Sequence, residues 1–190
     1  MSRARRLFAD VGPLRESRDF RRLWAGTALS AVGGALTTFA VPLQVYDITR
    51  SALAVGAIGV AQLIPTVVIG LLGGAVADAV DRRKLVLAAG GGSAAVSAGL
   101  AAQAFAGLHS VWLLYALVAV SASFRAISSP AQRTFVPSLL PADQVAAGLA
   151  LNQLSFYITL TAGPALAGLI AAVPALGLRA CYLVDAVSFA

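Results

Sequence analysis

Five charges fall within the twelve residues Gly73–Lys84 (Asp78, Asp81, Arg82, Arg83 and Lys84), between two long apolar runs that carry none. Ser51 to Ala77 is uncharged on one side, and Leu85 to Phe124 on the other. About 20 apolar residues in a helix cross the hydrocarbon of a bilayer, and charge collects at its faces. The cluster is therefore a tight turn at a membrane face, where the segments on either side reverse direction. Composition agrees: 59% of residues are apolar, 12% are charged and the mean hydropathy is +0.85. A soluble domain carries roughly 25% charge. The chain reads as an all-α polytopic membrane protein.

Residues 1–22 hold seven arginines and three acids, a composition expected of a basic segment lying on the cytoplasmic face. Residues 23–190 are expected to form the bundle, with helices near 23–46, 52–77, 85–106, 111–129 (ended by Pro130), 144–172 and 178–190. No polar flank closes the last stretch, so the sixth helix is read as incomplete and the chain as cut. With the N-terminus inside, the inner stretches hold eleven basic residues and the outer turns only Arg50 and Arg179. The opposite orientation would invert the positive-inside bias. The net charge of +6 is thus expected to meet anionic lipid rather than nucleic acid. Cys181 is the single cysteine and His109 the single histidine, far apart, so neither a disulfide nor a metal site is expected. No phosphate loop, dinucleotide fingerprint or nucleophile–base pattern occurs. No cofactor is expected, and the chain is not read as an enzyme.

The run Gly74-Ala75-Val76-Ala77-Asp78-Ala79-Val80-Asp81-Arg82-Arg83 resembles the loop 2–3 signature of the major facilitator superfamily, G-x-L-A-D-R-x-G-R-[KR]. Asp81 stands where the family has its second glycine, and Ala79 where it has its first arginine. Val41 to Ser51, followed by Ala54-Val55-Gly56, is similar to the first hairpin of the drug- and siderophore-exporter branch, which includes enterobactin-exporter-like proteins. Gly163-Pro164-Ala165-Leu166-Ala167-Gly168 resembles the G-P-x-x-G-G element of exporters and antiporters, with Ala167 at the first closing glycine. The resemblance implies twelve helices in two halves of inverted repeats, of which this chain is the N-terminal six-helix half. It also implies alternating access, a cavity lined by helices one and four, and a seam formed partly by helix five.

Candidate functional residues fall in three groups. Gly74, Asp78, Asp81, Arg82 and Arg83 form the gating signature, in which the resemblance gives Asp78 the role of locking one conformation. Arg125, Asp185 and Gln44 are candidates for substrate or coupling. A charge inside a membrane helix costs about 2.5–3.5 kcal/mol at the bilayer centre unless it faces a cavity or a partner. Gln44, Gln62, Gln103, Asn152 and Gln153 are uncharged polar groups for which interhelical hydrogen bonding is the expected use. Gly163, Pro164 and Gly168 are the packing motif of helix five. The expected function is proton-coupled efflux of a small, partly hydrophobic molecule (a drug, siderophore or secondary metabolite) across the plasma membrane. Its expected partners are protons, the lipid bilayer and a missing C-terminal half or second subunit. The other reading is a non-transporting membrane remnant or interaction scaffold, since six helices cannot enclose an alternating-access cavity alone.

Overall fold

The computed structural model describes residues 11–79, 81–173 and 177–189, and among them every side chain except those of residues 72–79, 82–83, 131 and 133–135. Described secondary structure is entirely helical: α1 (Gly12–Glu16), α2 (Arg18–Thr49), α3 (Ala52–Ala79), α4 (Arg82–Phe105), α5 (Val111–Leu139), α6 (Val145–Ala171) and α7 (Gly177–Ser188). Five of these, α2 to α6, are long and apolar enough to cross a membrane. The molecule is an all-α polytopic membrane bundle.

Three boundaries differ from the sequence expectation. The first long helix starts at Arg18 rather than near Leu23. Ser17 caps it, its side-chain oxygen accepting from the Phe20 backbone N–H at 3.1 Å, and Asp19 sits favourably in the positive first turn. The charged turn is shorter than the expected loop 78–84, because α3 runs to Ala79 and α4 begins at Arg82. Asp81 Oδ1 accepts the Lys84 backbone N–H at 3.4 Å, offsetting the basic residues of that first turn. Finally, α5 does not stop at Pro130 but continues through Pro130 and Pro137 to Leu139. A proline removes one intrahelical bond and crowds the preceding turn; both rings lie on exposed positions of α5, where neighbouring helices are not forced apart. Pro42, Pro65 and Pro164 likewise lie within continuous helices, as membrane helices allow.

Lipid is as apolar as leucine, so helices in it associate by close packing and hydrogen bonds rather than by expulsion of water. The packing is specific. α2 packs against α6 and α7, α4 against α5 and α7, and α3 along α5. At the end away from α1, Leu36, Val45, Leu100, Leu114, Cys181 and Tyr182 belong to one buried cluster fed by all six long elements. At the α1 end, Phe20, Val136, Leu140 and Leu151 form a smaller one, against which Leu14 and Trp24 pack. Gln144 Nε2 donates to Glu16 Oε2 and ties α1 to the start of α6.

Glycine sets the approach of α2 to its two partners. A Cβ on Gly163 of α6 would stand 2.6 Å from Ala35 Cβ of α2. On Gly33 of α2 it would stand 2.8 Å from Asp185 Cα of α7. By contrast, a Cβ on Gly168 meets open space. Gly163→Leu should therefore push α6 off α2 and destabilise the bundle by about 1–3 kcal/mol, whereas Gly168→Leu should leave it nearly unchanged. Thermal unfolding of the two variants in detergent checks this difference.

Candidate functional site

Every third or fourth residue of a helix returns to one face, and on α2 the residues Ser30, Gly33, Thr37 and Gln44 share such a face. α7 lies antiparallel against it. Ser30 Oγ donates to the Ser188 carbonyl at 3.0 Å, Thr37 Oγ1 donates to Asp185 Oδ2 at 2.6 Å, and Tyr182 OH donates to Gln44 Oε1 at 2.7 Å. α4 joins the same seam twice. Ser97 Oγ donates to Asp185 Oδ2 at 2.8 Å, and Gln103 Nε2 donates to Gln44 Oε1 at 3.0 Å. Three helices thus meet at two polar knots, one at Asp185 and one at Gln44.

Asp185 is 3% exposed. Its Oδ2 accepts two hydroxyl donors, while Oδ1 is buried and meets no partner among the described residues. The missing side chain of Gly33 is what lets the carboxyl sit there, since a Cβ would lie 2.8 Å from Oδ1. The residue also lines a cavity of about 570 Å³ to which α2, α3, α4, α5, α6 and α7 all contribute. Hydroxyls dominate its polar lining: Ser30, Thr37, Thr38, Ser93, Ser97, Ser121 and Thr159, with Leu100, Phe39, Phe156 and Leu160 as apolar wall. Arg125 of α5 lines the same cavity and interacts electrostatically with Asp185 without closing to ion-pair distance. Arg125 and Gln62 also line a second groove, between α3 and α5.

The structure therefore brings Arg125 and Asp185 together across one cavity, although 60 positions of sequence, from 125 to 185, separate them. Pro164 lines that cavity too. Gln44 lies outside its lining; its Oε1 is committed to Gln103 and Tyr182. The other amides divide. Gln103 is bonded as the interhelical expectation has it, whereas the side chains of Gln62, Asn152 and Gln153 line cavities without a hydrogen-bond partner among the described residues. Of the signature at the charged turn, Gly74, Asp78, Arg82 and Arg83 have side chains outside the described residues. Asp81 is exposed and caps α4.

Thr37, Ser97 and Gly33 are absent from the sequence-derived candidates. Thr37 had a signal, since Ser30, Thr37 and Gln44 recur at intervals of seven along an apolar helix, which marks one polar face. Ser97 had none, because a serine in an uncharged run says nothing about which helix it meets.

Residues 9–190 match the family described as transmembrane secretion effector. Macrolide efflux protein A of Streptococcus pyogenes is 27% identical over 151 residues, covering 80% of this chain and 37% of that protein. The protein of the same name from serotype M6 of that species matches to the same extent. The chain thus spans well under half the length of these curated relatives. No solved structure matches it. With the six-element bundle and the signature turn on the page, the match over nearly the whole chain has one meaning: this protein belongs to the transmembrane secretion effectors of the major facilitator superfamily.

Proposed function

We propose that the chain supplies the N-terminal half of a proton-coupled exporter in the plasma membrane, of the drug- and siderophore-exporter kind, with its N-terminus in the cytoplasm. Its cargo is a small, partly hydrophobic molecule of the class to which macrolides belong. The observation that carries this reading is the buried Asp185 carboxyl facing Arg125 across a cavity shared by all six long elements. A carboxylate at that depth is costly unless it has partners, and Thr37 and Ser97 supply two. Ionised Asp185 balances Arg125. Protonated, it leaves the arginine as an uncompensated positive charge in the cavity. Cargo that binds one of these states better than the other shifts the equilibrium between them. Binding of cargo and release of the proton then become linked, which is the requirement for antiport.

The family and the macrolide-efflux relative support the outward direction. The faces of α3 and α6, the least buried of the five spans, are the proposed seats of the remaining half or of a second subunit, with lipid around the rest. Asp78, four positions before Arg82 in the sequence, is proposed to lock the cytoplasmic gate.

Full-length protein in lipid vesicles, with a labelled macrolide as probe, tests both roles. Wild type should drive the probe against its gradient when a pH gradient is imposed and stop when a protonophore collapses it. Asp185→Asn should keep exchange of labelled for unlabelled probe and lose the response to the pH gradient. Transport indifferent to the protonophore would contradict proton coupling. In the same assay Asp78→Asn, expressed normally, should turn over about two- to fivefold more slowly, the effect of losing a carboxylate worth about 0.3–1 kcal/mol at the N-terminus of a helix across the gate. Unchanged turnover would remove Asp78 from the gate.

A further inference from the structure

A second cavity, of about 520 Å³, opens at the α1 end of the bundle between α2, α4, α5 and α6. That volume is within the range of small-molecule sites. Its lining holds three carboxamides, Gln132 of α5 and Asn152 and Gln153 of α6, and three aromatic rings, Phe20, Trp24 and Phe156. Among the described residues no charged side chain lines it. The carboxamides have no hydrogen-bond partner among the described residues. Amides deeper in the same bundle behave otherwise, since Gln103 and Gln44 bond each other across α2 and α4. Asn152 is half-buried, Gln132 and Gln153 are exposed, and each offers two donors and an acceptor. Phe156, 57% exposed, lines both this cavity and the one containing Asp185, so the two meet at its ring.

We propose that this cavity is an antechamber that binds cargo before it reaches Asp185, and that it selects an uncharged face carrying ester, ketone, ether or hydroxyl oxygens on an apolar frame. Asn152, Gln153 and Gln132 bond the oxygens, the aromatic rings cover the frame, and Phe156 is the partition that cargo passes. The proposal rests on the exporter reading and adds a site to it. The cavity that holds Asp185 and Arg125 answers to protons; the described lining of the antechamber carries no charge, so it recognises cargo in either proton state of Asp185.

The two tryptophans of this chain provide the test. Trp112 is 81% exposed at the opposite end. In full-length protein, Trp112→Phe and replacement of any tryptophan outside residues 1–190 leave Trp24 as the sole indole. Titration with a macrolide should shift Trp24 emission saturably, and should do so equally in an Asp185→Asn background. Asn152→Ala and Gln153→Ala should each raise the half-saturating concentration about two- to tenfold, as expected for one lost hydrogen bond. Should these variants fold poorly, protection of Trp24 from acrylamide quenching by saturating macrolide, in protein with its amides intact, reads the same occupancy. A flat Trp24 signal, undiminished quenching, or half-saturation unmoved by both alanine variants overturns the antechamber. A saturable Trp24 response in protein that exports nothing would keep the antechamber and overturn the exporter reading instead.

Discussion

The structure depends on a hydrogen-bonded carboxyl in a place where hydrophobic burial holds nothing together. Asp185 Oδ2 receives Thr37 of α2 and Ser97 of α4, so one side chain of α7 fastens three helices. Interhelical bonds of this kind contribute on average about 0.6 kcal/mol in a membrane protein. Their number and placement therefore matter more than the strength of any one. Ser30–Ser188 and Gln44–Tyr182 extend the seam on either side of Asp185, and Gly33 removes the side chain that would hold α7 away. This seam is what fixes α7 against α2 and α4.

The same arrangement builds tension into the site. Oδ1 is buried without a partner among the described residues, and Arg125 is near enough to feel the charge but not to neutralise it in a closed pair. A carboxyl satisfied on both oxygens and locked to arginine would be a structural strut. One bonded on a single oxygen, beside a cavity and opposite a cation outside ion-pair distance, is a fitting seat for the proposed proton exchange. The hydroxyl-rich lining of that cavity tolerates either state, because serine and threonine turn as donors or acceptors. Scaffold and proposed switch are thus one residue, which ties the packing of α7 to the chemistry of the cavity.

Much of this was legible in the sequence. Long uncharged runs separated by the Asp78–Lys84 cluster define a helical membrane bundle, because lipid permits little else. Register at Gly74, Asp78, Arg82 and Arg83 carries the superfamily, and a charge at Arg125 or Asp185 within a helix marks a functional position. Less legible was what depends on three-dimensional partners. Pro130 reads as a helix end in water, yet α5 runs past it. Gln44, Gln103 and Asn152 are alike in sequence, and only the helix each one faces separates structural bonding from an open amide. The union of Arg125 with Asp185, and the hydroxyls that hold the latter, follow from how α7 lies across α2 and α4, which periodicity along one chain does not encode.

The account centres on Asp185 exchanging a proton for cargo, and proton release on cargo binding measures that directly. Full-length protein in detergent, in a weakly buffered solution with a pH-sensitive dye, is mixed with saturating macrolide. Wild type should release protons on binding, and Asp185→Asn should bind the macrolide without releasing any. Binding by wild type with no proton release, or equal release by Asp185→Asn, would contradict the account.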